Sequence, residues 1–104
     1  MLVEQITYVL LPGRAPALIA AYQEEGLAVI TRNLGRLVAF LQAEVGGMDE
    51  VSHIWAFRDA ADREARHAGL QADPGWKAFT STHGHLLVSR RNSLWRAAPF
   101  SPGL

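Results

Sequence analysis

The stretch "RLVAFLQAEVGGMDEVSHIWAFR", residues 36–58, holds two largely apolar runs on either side of Gly-Gly-Met-Asp. Residues 36–45 and 50–58 have the composition of strands, and 46–49 has the chemistry of a turn, so the stretch predicts a β-hairpin. A four-residue turn sets Val45 opposite Glu50. It then pairs Gln42 with His53, Phe40 with Trp55 and Glu44 with Val51, because side chains alternate along a strand.

Working outward, "VEQITYVLLPG" (3–13) reads as a first strand that stops at Pro-Gly. Residues 15–35 follow with Pro16 in a first helical turn, apolar residues at helical spacing and Gly35 as a stop. Gly26 falls inside this helix, at a cost of roughly 1 kcal/mol against alanine. After the hairpin, 59–72 reads as a helix capped by Asp59, with Asp62 in its first turn. Residues 73–84 read as a short helix capped by Asp73 with Pro74 first and packed by Trp76 and Phe79. Residues 85–96 read as a last strand and 97–104 as an irregular tail. The order β-α-β-β-α-(α)-β predicts an α+β, ferredoxin-like βαββαβ sandwich with a four-stranded antiparallel sheet, in a single domain over 1–104.

One helix layer covers one face of such a sheet, yet strands two and three are apolar on both sides. The expected solution is a second copy against the open face, giving a homodimer that closes as an α/β barrel, with higher assembly left open. The small apolar set Leu37, Ala39, Leu41, Ala43, Ile54 and Ala56 is expected under the helices. The mixed set of Gln42, Glu44, His53 and Trp55, with Tyr8 from strand one, is expected to line a ligand-binding cavity on the open side. There Glu44 and His53 lie close enough to share a ligand or to perturb each other's protonation.

Composition narrows the chemistry. Ten basic and ten acidic residues give zero net charge, which supplies no electrostatic reason to expect nucleic acid as partner. The chain has no cysteine, so disulfides, thiolate metal sites and thiol nucleophiles are excluded. No apolar run approaches the ~18 residues of a membrane span, so no membrane partner is expected. Met1 leads straight into an apolar segment without a basic region or cleavage site, so the cytoplasm is the expected compartment. His83 and His85 would point the same way on an extended chain, but they lack the partner spacing of a metal motif, and neither metal nor cofactor is expected. His67 lies in a charged helix and is expected to face solvent. Alternation sends Arg90 and Arg91 to opposite faces of the last strand. No phosphate-binding glycine loop or catalytic triad is present.

The segments "YVLLPG", "EEGL", "LGRLVAF", "EVGGMDEVSHIWAF", "DAADREAR", "ADPGWKAF" and "PFSP" resemble the NIPSNAP family over essentially the whole chain. The most specific part is the hairpin, through Glu44, Gly46, Val51, His53 and Trp55. The resemblance implies the dimeric α/β-barrel fold and no defined activity. Asp49 stands where the family usually has asparagine, and Ile6 where many members have an arginine. Three functions are compatible with these features: a dimer binding a small, largely apolar molecule in the barrel interior, a cofactor-independent monooxygenase or isomerase of the antibiotic-biosynthesis monooxygenase type, and a haem-binding protein. The second and third rest on analogy of fold. Whether any reaction is catalysed stays open.

Overall fold

A computed structural model describes residues 1–104. Strands β1 (Leu2–Leu10), β2 (Arg36–Gln42), β3 (Glu50–Phe57) and β4 (Leu87–Arg96) form one sheet in the order β2-β3-β1-β4, with every neighbouring pair antiparallel. Between β1 and β2 runs α1 (Ala15–Ala21), which continues through a wider π turn (Tyr22–Gly26) into α2 (Leu27–Leu34). Between β3 and β4 run α3 (Ala60–Ala72), α4 (Pro74–His83) and a 3-10 turn (Gly84–Leu86). This is the ferredoxin-like α+β architecture that the sequence predicts.

Local signals act where expected. Gly35 ends α2 at φ 86°, a left-handed conformation that strains any residue with a Cβ. Asp59 accepts the Asp62 N–H at the start of α3, and Asp73 accepts the Gly75 N–H at the start of α4. The Asp73 carboxylate also accepts from Arg32 and Asn33, so the same cap ties α4 to α2.

The hairpin departs from the expected pairing. β2 ends at Gln42, and residues 43–49 form a seven-residue connection in place of a four-residue turn. Phe40 therefore pairs with His53 and Gln42 with Val51, a slip of two residues. An even slip preserves the faces, so Phe40 still shares a side with His53 and Trp55. A bulge between Leu37 and Ala39 brings Leu37 opposite Trp55 as well.

The larger correction concerns which face the helices cover. Val51, His53 and Trp55 are fully buried, Phe57 nearly so, and they pack in the layer between sheet and helices with Ile6, Tyr8, Leu10, Leu18, Tyr22 and Phe79. Of the small set expected there, Ala39, Leu41 and Ile54 lie on the opposite side, where Leu41 pairs with Ser52 and is 51% exposed, while Leu37 crosses through the bulge to pack against the core and Ala43 falls in the connection. Side-chain volume explains this: filling the gap between a sheet and a helix layer to native density takes bulky residues, and alanines cannot do it. The last strand begins at Leu87. His83 thus ends α4 and His85 sits in the 3-10 turn, so the two histidines are not on one strand. Arg90 and Arg91 do fall on opposite faces, opposite Tyr8 and Thr7.

Candidate functional site

The site begins with the π turn. Here Leu27 N–H bonds Tyr22 C=O, one residue more per turn than in an α-helix, and such insertions recur at functional positions. Tyr22 is buried, with its ring centroid 4.8 Å from Phe79, 4.9 Å from Phe40 and 6.5 Å from Trp76. Gly26 explains how Phe79 comes so close: a Cβ on it would lie 2.5 Å from the ring. The glycine that weakens the helix locally lets an aromatic ring lie directly on its backbone.

The Tyr22 hydroxyl meets the Tyr8 hydroxyl at 3.2 Å. Burial pushes both phenols up from their ordinary range, so both are neutral. Two hydroxyls joined by one bond use one of their two protons, which leaves one O–H free to donate. They border a cavity of about 190 Å³ between sheet and helices. Tyr8, Leu18, Tyr22, Trp76 and Phe79 are its buried floor, and Gln71, Thr80, Gly84 and Arg90 are its exposed rim. His83 joins the rim and bonds Glu25 at 3.2 Å. Arg90 is held by Nε donating to Asn92 Oδ1 at 3.0 Å. No carboxylate lines the cavity.

His53 lies in the layer beside this floor, stacked on Phe40 at 4.9 Å and 5.1 Å from the Tyr8 ring. Trp55 Nε1 donates to its Nδ1 at 2.7 Å. An indole N–H only donates, so Nδ1 carries the lone pair and the neutral ring carries its proton on Nε2. That Nε2 is buried without a partner. Burial, followed by the charge of Arg90, lowers the imidazole to about pKa 3. His53 is thus neutral at physiological pH and a poor general base.

A second polar cluster lies on the same face. Glu4 is fully buried and accepts from Arg63 Nη2 at 2.6 Å and Asn92 Nδ2 at 2.8 Å, with His67 Nε2 at 2.5 Å. Burial alone would raise its pKa, but the bonds to His67, Arg63 and Asn92 outweigh it and hold the carboxyl at about 2. His67, expected in solvent, is this cluster's half-hidden partner.

Of the five residues expected in one cavity, Tyr8, His53 and Trp55 come together under the helices. Gln42 is exposed and borders a polar depression on the open face with Gln5, Thr7, Ser52 and Arg91. Glu44 is exposed in the β2–β3 connection, because β2 ends two residues before it. Glu44 and His53, expected within mutual reach on the open face, therefore do not come together. Tyr22, Trp76, Phe79, His83 and Arg90 were not expected to share a site. Gly26 is the one sequence signal that points to it, since a glycine inside a helix marks either weakness or close approach.

The family profile described as NIPSNAP matches residues 3–102. A NIPSNAP family protein with unknown function from Agrobacterium tumefaciens is 37% identical, with 98% of this chain and 92% of that one covered at a TM-score of 0.94. An uncharacterized NIPSNAP-like domain protein from Burkholderia xenovorans is 33% identical, with 99% and 90% covered and a TM-score of 0.96. A structure described as an antibiotic biosynthesis monooxygenase shares the fold alone, at 15% identity, 95% and 100% coverage and a TM-score of 0.65. No curated protein matches the chain.

Proposed function

This chain belongs to the NIPSNAP family, and on that footing we propose that it binds a small, largely apolar molecule in the cavity between its sheet and its helices. The observation that carries this reading is the combination of a buried aromatic floor and an exposed polar rim around about 190 Å³. Small-molecule sites share that composition: apolar walls with a few placed polar groups. An apolar cavity of about 150 Å³ holds benzene, so a one-ring ligand suits this one. Native mass spectrometry of the purified protein tests it. A small molecule retained by the unaltered chain and lost from Thr80→Trp, which closes the mouth from an exposed position, is the expected result. If the unaltered chain retains nothing and no one-ring fragment raises its melting temperature, the reading fails.

The same reading includes a homodimer formed across the open face. Leu41 on one edge strand and Trp95 on the other are 51% and 58% exposed there. Large apolar side chains exposed on one sheet face favour association. Leu41→Asp should convert the dimer to a monomer in sedimentation velocity. Phe40, which packs on His53 and Tyr22, is a core residue and is unsuited to that test. An unaltered chain that sediments as a monomer would overturn the dimer.

No helix is long and apolar enough to cross a membrane.

A further inference from the structure

We infer that the molecule held in this cavity is an aromatic carboxylate, its ring on the Tyr22, Trp76 and Phe79 floor and its head group at Arg90. The inference rests on the binding reading above and adds the ligand's chemical class.

The walls argue for a planar body. Trp76 and Phe79 are stacked with centroids 5.6 Å apart and planes 20° apart, and Tyr22 tilts against Phe79 at 60°. Aromatic faces so arranged favour a further ring in offset or tilted contact.

The charges argue for an anionic head. Arg90 borders the cavity, no carboxylate does, and no salt bridge involves Arg90. The nearby acids are engaged elsewhere. Glu4 is held by Arg63, His67 and Asn92, and Glu25 faces His83. A cation beside an apolar floor, with no protein carboxylate against it, is matched by an oxyanion.

The donors argue for two-point recognition. Asn92 gives its amide N–H to Glu4, which turns its carbonyl oxygen toward Arg90. That carbonyl takes the Arg90 Nε–H and so orients the guanidinium. The Nη groups make no hydrogen bond within the protein, and a guanidinium presents them as a planar fork that fits a carboxylate. The spare hydroxyl proton of the Tyr8–Tyr22 pair is a further donor at the floor. Thr80 adds no competing donor, because its hydroxyl already donates to backbone carbonyls of α4.

Titration calorimetry on the full chain separates the possibilities, using benzoate and phenylacetate against benzamide and phenylacetamide. The acids should bind about tenfold or more tightly than their amides, as charge-assisted bonds exceed neutral ones. Arg90→Gln should erase that preference and leave amide binding in place, and Arg90→Lys should restore part of it. Arg90 is exposed, so these variants keep the fold. Arg91→Gln, on the open face, should change nothing. Acids and amides binding equally to the unaltered chain would overturn the carboxylate and keep the cavity. A preference for acids that survives Arg90→Gln would place the anion elsewhere and also overturn it. Failure of all four probes to bind would overturn the aromatic carboxylate, while the native mass spectrum decides separately whether the cavity holds a molecule.

Discussion

Glu4 and His53 sit on neighbouring rungs of one ladder, Glu4 paired with Trp55 and Ile6 with His53, on the same covered face. Both are fully buried. Yet one is an ion and the other is neutral. Glu4 has three side-chain partners, two of them from α3, and they more than offset the cost of burying its charge. His53 has one, and that partner is an indole that stabilises the neutral ring. Burial sets the cost of a charge, and the number and sign of partners decide whether the charge is kept. One side of the face is thereby a charged structural cluster, in which Arg63 Nε alone lacks a partner. The other sets a neutral imidazole, its Nε2 also unpartnered, beside an aromatic cavity, and it is there that the binding site is proposed.

Breaking the charged side should have the largest effect. Glu4→Leu removes the acceptor for Arg63, His67 and Asn92 and leaves the Arg63 cation against the core. Losing one partner of a buried pair costs about 3–5 kcal/mol. Urea unfolding should show a loss of that size, with binding of the neutral amides unchanged and the preference for acids reduced, because Asn92 no longer orients Arg90.

Acidification sharpens the contrast next. His53 is depressed from 6.5 to about 3 in the folded chain, so the unfolded chain binds a proton first as pH falls. Its contribution to stability is complete above pH 6.5 and declines toward pH 3, by no more than about 1.4 kcal/mol per pH unit. Glu4 acts the same way in a lower window: its contribution is present above pH 4.5 and is lost as pH falls through about 2. Between pH 6.5 and 4.5 the two separate. Unfolding measured there should become less pH-dependent in His53→Phe than in the unaltered chain. That variant should itself be about 1–3 kcal/mol less stable, because the Trp55 N–H loses its acceptor. An equal slope in both proteins would count against the buried, neutral imidazole.

The smallest effect belongs to the roof of the neutral side. Gly26→Ala places a methyl 2.5 Å from Phe79, and the ring has to move. Overpacking of this kind costs about 1–3 kcal/mol, and the roughly 1 kcal/mol of helix propensity that alanine regains over glycine offsets part of it. Amide exchange should quicken in α1 and α4 around the cavity and stay unchanged in α3 around Glu4. Uniform loosening would mean that the two sides are not independent.

Much of the fold is legible in residue pattern because the signals are local. Asp59, Asp73, Pro74 and Gly35 mark helix ends through contacts within a few residues, and alternation marks the strands. The grouping of Phe40 with His53 and Trp55 is also legible. It survives a misjudged turn because the slip is an even number of residues.

Local pattern cannot decide which of two apolar faces the helices take. Both sides of β2 and β3 offer apolar residues, and the choice follows from the volume that the helices need to fill across the sheet. Nor can it find partners far apart in sequence. Glu4 meets Arg63 across 59 residues and Asn92 across 88, and His67 reads as a solvated residue until α3 is laid on the sheet. The same holds for the site. Tyr8 and Tyr22 share a hydrogen bond, and Arg90 borders their cavity, only because antiparallel pairing and a π turn bring three separate segments together. Chain-local chemistry therefore specifies the elements and their order. Long-range packing specifies which side chains are buried, which of them are charged and where a cavity opens.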